Sequence, residues 1–402
     1  MTSPAVTVRE LAHDDERRAA RVLAREAFGH PPAADEQSPP PALPGAHVLG
    51  AFDGDELVGR IVDREYDSWF CGAPVATSGI AGVTVAAEKR GSGLLTPLFE
   101  AVLATARERG AVISTLYPTA TGIYRRFGYE VIGSLDTVEL TTASLAAARA
   151  PAPGTTTRRA RGEDVDALKG LYDAWASSQN GPLTRRGPSF PADADELLAD
   201  YSAITLAIDG SGTPTGYAAW SRSRGYGVES RLEVGDLVTT TADAARALLQ
   251  VLGSFSTVCP TTRVRTSGTD PFRLQLRTSE WPVVESEPYM LRLLDLPGAF
   301  AARPFPDHLA ADLTFTFRDE LLHHLDGTWR LRVEGGRATC ERLGGAASRG
   351  ASYTGRGLAL VYAGAQSTAN VRAAGLLSGE RDDDPVWDTL FGGRQVHIRD
   401  YF

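Results

Sequence analysis

Apolar positions along this chain switch repeatedly between a period of two and a period of three to four. A short strand is expected over residues 5–9. A helix follows over 14–29, capped by Asp14, with Ala19, Val22, Leu23 and Ala27 on one face and Gly29 as its stop. Residues 47–53 and 57–66 alternate around Asp53-Gly54-Asp55, the mark of a hairpin, and 74–85 extends the sheet. Leu94, Leu98, Val102 and Ala106 then stack at i+4 spacing on a helix over 94–109, closed by Gly110. Residues 111–116 read as a strand, 122–128 as a short helix and 130–140 as a last strand.

The pattern then runs a second time. An Ala-, Pro- and Thr-rich stretch over 142–157 reads as a linker. Strand, helix and hairpin follow at 158–161, 163–178, 203–208 and 215–224, then strand, helix, strand and strand at 232–238, 243–255, 264–266 and 289–294. This order echoes the first and reads as a diverged internal duplication. After about Pro297 it changes to strands at 313–318, 328–334, 337–342 and 351–354, helices at 356–363 and 370–374, and a terminal strand at 395–401. Three domains are expected: 1–145, 146–296 and 297–402. The fold class is α/β and α+β, two α/β units followed by a small α+β domain.

Composition narrows the partners. A net charge of −9 repels nucleic acid and anionic membrane surfaces and suits a cationic ligand. No apolar run approaches the ~20 residues of a membrane span, and the first residues carry no apolar leader core, so a cytoplasmic chain is expected. Cys71, Cys259 and Cys340 are too scattered for a metal site or a disulfide framework and read as free thiols, so no metal is expected. The Pro- and Ala-rich stretch 30–44, with Asp35 and Glu36, is expected to be a loop, either a border of a substrate site or a plain surface connection.

The candidate chemistry lies in the first unit. Arg90-Gly91-Ser92-Gly93 sits between a strand and a helix, where small residues let amides face outward and the helix adds its own unpaired N–H groups and positive dipole end. That is a cradle for a pyrophosphate. No Gly-Lys-Ser/Thr closes it, which excludes a P-loop. A dinucleotide fingerprint lacks its third glycine and the following acid. The strand Val83-Thr84-Val85 precedes the cradle. Downstream stands Ile123-Tyr124-Arg125-Arg126-Phe127-Gly128-Tyr129. The second unit has Thr239-Thr240-Thr241-Ala242-Asp243 in place of the cradle, with neither arginine nor glycine and an added acid, so it is not expected to hold a pyrophosphate.

VTV, then RGSG, then IYRRFGYE resembles the GCN5-related N-acetyltransferases, although Ile123 and Leu95 depart from the usual aromatic and Gly/Ala. Two such units before a small α+β domain resemble the Eis family of actinobacterial acetyltransferases, whose third domain is similar to sterol carrier protein. The resemblance implies acetyl-CoA as cosubstrate, with the pantetheine arm on the Val83-Thr84-Val85 strand and the pyrophosphate on amides from Arg90, Gly91, Ser92, Gly93, Leu94 and Leu95. It implies that the Val85 N–H polarises the thioester carbonyl and that Tyr124 is the acid at the sulfur. It also implies that the terminal carboxylate, here of Phe402, enters the site as proton acceptor or as an anchor for the cation. A free α-carboxylate has a pKa near roughly 3.5 and is a weak base unless buried. Phe28, Gly82, Asp400 and Tyr401 are expected to line the acceptor pocket. Further implications are acetylation of aminoglycoside amines and a homohexamer built as a trimer of dimers. Two alternatives stay open: acetylation of protein lysines, and a lipid-binding or catalytically silent scaffold.

Overall fold

The computed structural model describes residues 6–29, 42–190, 198–225, 227–344 and 350–402. The first unit runs β1 (Thr7–Glu10), α1 (Asp14–Phe28), β2 (Ala46–Asp53), β3 (Glu56–Phe70), β4 (Ala73–Val85), α2 (Leu95–Glu108), β5 (Ile113–Leu116), α3 (Thr121–Arg125) and β6 (Glu130–Thr141). Asp14 is not the cap of α1. The cap position is His13, and Glu16 reaches back to accept from the amides of Ala12 (2.8 Å) and His13 (3.2 Å). Hydrogen bonding to Arg9 holds the Glu16 carboxyl down at about 2. Gly29 ends the helix in the left-handed region, φ 69°. Leu94, Leu98, Phe99, Val102 and Ala106 are buried as the i+4 stripe requires. Each large apolar side chain contributes about 1.5–3 kcal/mol.

The stretch 142–157 is not all linker. Thr142–Ala146 forms α4, with Thr142 and Leu145 buried. The second unit continues with β7 (Thr156–Arg159), α5 (Val165–Ala176), β8 (Ala203–Ile208), β9 (Pro214–Arg222), β10 (Arg231–Thr239), α6 (Ala242–Gly253), β11 (Thr261–Thr266) and β12 (Val283–Leu293). Gly253 lets α6 meet α4, since a Cβ there would lie 2.3 Å from the Ala146 nitrogen.

The two units share one 12-stranded sheet, ordered β1-β2-β3-β4-β5-β12-β6-β11-β10-β9-β8-β7. The last strand of the second unit therefore inserts between β5 and β6 of the first, and β6 in turn pairs with β11. Each unit's sheet is continuous only through the other's last strand.

The remaining chain begins with α7 (Leu296–Ala302) and builds a second sheet, ordered β15-β14-β13-β16-β17, from β13 (Ala311–Arg318), β14 (Gly327–Glu334), β15 (Arg337–Leu343), β16 (Ala351–Thr354) and β17 (Leu377–Gly379). Helices α8 (Gly355–Ala363), α9 (Thr368–Ala373) and α10 (Asp384–Phe391) complete it. Interlocking rings fill its interior: Trp387 meets Phe315, Tyr353 and Phe391, and Phe300 meets Tyr362. The segment expected as a terminal strand is irregular, and Val396 makes one isolated bridge, to Asn180. Its backbone meets the Asn180 loop, through the Gln395 carbonyl and the His397 amide, and not a strand edge.

Candidate active site

Strands β4 and β5 pair in parallel from Thr77↔Ile113 to Ile80↔Leu116, and there the pairing stops. Beyond it β4 stays joined to β3 as far as Gly59↔Val85, while the chain after Leu116 turns away toward α3. Val83, Thr84 and Val85 thus sit on a strand whose β5-side edge is open, where an extended amide ligand can add its own hydrogen bonds. A bulge between Arg60 and Val62 opposite Thr84 and Ala81 produces this splay. Gly82 lies in the bulge at φ +54°, and a Cβ there would meet Arg60 Nη2 at 2.5 Å. Arg60 donates to the carbonyls of Gly82 and Ala20, both at 3.2 Å, and burial lowers its pKa. The Arg60 guanidinium thus stands beside Gly82, one of the residues expected to line the acceptor pocket. Phe28, at the end of α1, is 42% exposed.

The cradle follows β4. Gly91 (φ +81°) and Gly93 (φ +85°) occupy the left-handed region and face open space. The amides of Arg90 and Ser92 bond back to Ala87 and Lys89 at 3.3 Å. Those of Gly91, Gly93, Leu94 and Leu95 have no backbone acceptor among the described residues. Leu94 is the cap residue of α2 and makes no side-chain cap bond, so the helix end presents bare N–H groups. Lys89 is tied to Asp53 at 2.6 Å, and Arg90 is exposed. At the matching point of the second unit, Thr241 caps α6 by accepting from the Ala244 amide at 3.2 Å. Asp243 stands in that first turn and accepts from the Ala152 amide at 3.1 Å. That helix end thus has a side-chain cap, and its acid also pairs with Arg246 at 3.1 Å.

Tyr124 lies on α3, buried, edge-on to Phe99 with centroids 5.9 Å apart. Burial raises its pKa, so the hydroxyl keeps its proton at neutral pH. Its helix is fastened by groups from beyond the first unit. Arg356 bonds Glu130 Oε2, which also holds Arg125. Arg292, fully buried, forks onto Asp319 with two bonds of 2.8 Å and donates to the Phe127 carbonyl. Gly128 (φ +78°) makes the turn beside it. Of these residues, Arg292, Asp319 and Arg356 lie outside any motif.

The chain end reaches the first unit. Arg399, buried, donates to Asp270 (2.7 Å) and to the Arg265 carbonyl (2.7 Å). The Asp400 carbonyl accepts from the Tyr117 hydroxyl at 2.5 Å, and its carboxylate turns toward the second unit, to Arg185 (2.8 Å) and Tyr172 (3.1 Å). Tyr401 is 59% exposed and lies against the Tyr117 ring, centroids 4.5 Å apart. Phe402 is half-buried among Tyr66 (4.9 Å), Tyr117 (5.5 Å) and Tyr289 (6.2 Å), over Gly79 of β4. The chain end thus packs on β4 at Gly79 and on Tyr117, the residue that follows β5. The described residues contain no group of three or more His, Cys, Asp or Glu able to hold a metal ion.

Family comparisons agree with this architecture. Models of an acetyltransferase (GNAT) domain match residues 7–132 and 181–293, and one of a sterol carrier protein domain matches 296–399. An uncharacterized N-acetyltransferase of Streptomyces griseus is 29% identical over 271 residues, covering 62% of this chain and 64% of that relative, just under two thirds of its length. N-acetyltransferase Eis of Mycobacterium tuberculosis is 28% identical over 316 residues, 74% of each chain. A crystal structure of a GCN5-related N-acetyltransferase from Kribbella flavida superposes with a TM-score of 0.81 at 28% identity over 99% of both chains. Eis1 from Mycobacterium abscessus shares the fold, with a TM-score of 0.75 at 23% identity over 99% of this chain and 100% of that one.

Proposed function

Since this chain is a GCN5-related N-acetyltransferase of the Eis type, we propose that it acetylates amines of a cationic small molecule such as an aminoglycoside, with one working site per chain. The observation that carries this reading is the open β4 edge leading into an uncapped, glycine-lined helix end, with a protonated tyrosine on the adjoining helix. Acetyl-CoA supplies an activated acyl group as a thioester. The free amides of Gly91, Gly93, Leu94 and Leu95 hold its pyrophosphate, and exposed Arg90 adds charge. The edge of Val83-Thr84-Val85 orients the pantetheine arm. The Val85 N–H donates toward the carbonyl oxygen as charge develops there.

An ammonium cannot attack, so the acceptor must lose a proton first. The Phe402 α-carboxylate, delivered through the Asp400 anchor, attracts the cation and accepts that proton, directly or through water. Tyr124 donates its hydroxyl proton to the departing sulfur. The second unit, its helix end already capped by Thr241, supplies strand β12 rather than a second coenzyme site. The third domain supplies the chain end and clamps α3. Phe28, Gly82 and Tyr401 border the acceptor. We take the enzyme to be cytoplasmic and to assemble as a hexamer, which light scattering tests.

The deciding experiment is free-thiol release from acetyl-CoA across a panel of aminoglycosides, polyamines and lysine peptides. Turnover with polycationic small molecules is expected, together with a raised acetyl-CoA KM in Arg90→Glu. Turnover confined to lysine peptides would replace the acceptor class. No turnover with any amine would leave a silent scaffold.

A further inference from the structure

At the bulge in β4, Gly82 and Val83 together oppose the single Ile61 of β3, and the pairing resumes at Arg60↔Thr84. A bulge disrupts the ladder locally, and a carbonyl left bare inside the protein costs free energy. Arg60 makes good that loss. Its main chain pairs with Thr84, while its side chain reaches back across the bulge and donates from Nε to the Gly82 carbonyl at 3.2 Å. The same guanidinium donates from Nη1 to the Ala20 carbonyl of α1, also at 3.2 Å. Ala20 is buried, so α1 is gripped on its inner face. One planar fork, carried by β3, therefore fastens the bulge of β4 to α1.

The surroundings are shaped for this fork. Burial lowers the Arg60 pKa, and no carboxylate among the described residues offsets it. A cation withdrawn from water without an ion pair is costly, so carbonyl dipoles must hold it in place. Gly82 has φ +54°, and a Cβ there would lie 2.5 Å from Arg60 Nη2, so the bulge residue leaves its side-chain space to the guanidinium. The bulge leads straight into Val83-Thr84-Val85, the edge assigned to the pantetheine arm. Helix α1 runs on to Phe28, assigned to the acceptor side. The fork thus stands at the root of both walls.

We propose that Arg60 is a positioning residue for acyl transfer. By tying the Gly82 carbonyl to α1, it fixes the bulge that aims the Val83-Thr84-Val85 edge and the Val85 N–H at the thioester. It acts through β4 and not on the reacting atoms. Lysine would keep the charge and lose the planar two-point fork. The inference rests on the transferase reading and adds to it a residue that no motif contains.

The test is calorimetric titration of the full chain with acetyl-CoA, together with thiol release at saturating acetyl-CoA and amine. Arg60→Ala should weaken acetyl-CoA binding and lower kcat, each by about tenfold or more. Guanidinium chloride, far below denaturing concentrations, should refill the vacated space and recover most of both losses, and tetramethylammonium chloride should not. Arg60→Lys should lose as much as Arg60→Ala. Near-UV circular dichroism checks each fold. If Arg60→Ala misfolds, Arg60→Lys carries the test beside Gly82→Ala, whose Cβ displaces the guanidinium and should give the same losses. A folded Arg60→Ala chain that binds and turns over as the parent does overturns the proposal, and so does a loss that guanidinium leaves untouched. Full activity in Arg60→Lys overturns it as well. A parent chain that binds no acetyl-CoA overturns the transferase reading and this proposal with it, a failure seen before any substitution is made.

Discussion

Replacing Phe402 with alanine keeps the terminal carboxylate and removes only the ring that seats it. The ring is half-buried and packs on Tyr66 and Tyr117 with centroids 4.9 and 5.5 Å away. Half the transfer free energy of a phenylalanine plus two aromatic pairings amounts to about 2–4 kcal/mol. The docking equilibrium of the last residue should then weaken by roughly 30- to 1,000-fold. The tail upstream stays fixed by Arg399 on Asp270 and Asp400 on Arg185. Global stability should change little. If the carboxylate takes the amine's proton, kcat falls by up to the docking factor while the acetyl-CoA KM holds. Gly79→Ala is an independent route to the same effect, because its Cβ would lie 2.5 Å from the Tyr66 ring and 3.0 Å from that of Phe402. The assay is thiol release with saturating amine, alongside thermal melting. An unchanged kcat in Phe402→Ala, with an unchanged melt, would refute the role of the chain end.

Other expectations follow from the same geometry. Tyr124→Phe should lose kcat by about 10²-fold or more with little change in acetyl-CoA affinity, and an unaltered kcat removes the hydroxyl from the chemistry. Arg292→Met leaves Asp319 buried without its cation and frees the Phe127 carbonyl, which should cost about 3 kcal/mol or more in denaturant unfolding and lower turnover through a loosened α3. His397 is buried beside Trp175, and burial, then Arg399, pushes its pKa well below the usual value. The folded ring stays neutral where the unfolded one protonates, so stability should fall as pH drops below about 6.5, by up to ~1.4 kcal/mol per pH unit. Melting curves from pH 7 to pH 5 check it, and His397→Asn should flatten that slope.

Much of the first unit is legible in local pattern. The stripe Leu94, Leu98, Val102 and Ala106, the stop at Gly29 and the left-handed glycines 91 and 93 each express a rule that acts within a few residues. Asp14 is not the cap because the helix begins one residue earlier than expected, with His13 at the cap position and Asp14 as its first residue. Residues 395–401 read as a strand from their pattern and emerged irregular, held by side chains from three loops, Tyr117, Arg185 and Asp270, instead of by a ladder. The loop over 30–44 lies largely outside the described residues, so Asp35 and Glu36 gain no structural account.

Local pattern was enough for the two α/β rounds, the α+β end, and the glycine turn before α2 that the second round lacks, because turn glycines and helix stripes act within a few residues. Tertiary packing alone interleaves β6 and β12 in one sheet, ties Arg292 to the Phe127 carbonyl and Arg356 to Glu130 beside the helix of Tyr124, and turns Asp400 to Arg185. Those contacts join residues separated by more than one hundred and fifty positions in most cases, as Tyr172 and Asp400 are by 228. Neither period nor propensity carries information across that distance. Burial and charge pairing set them once the chain has folded.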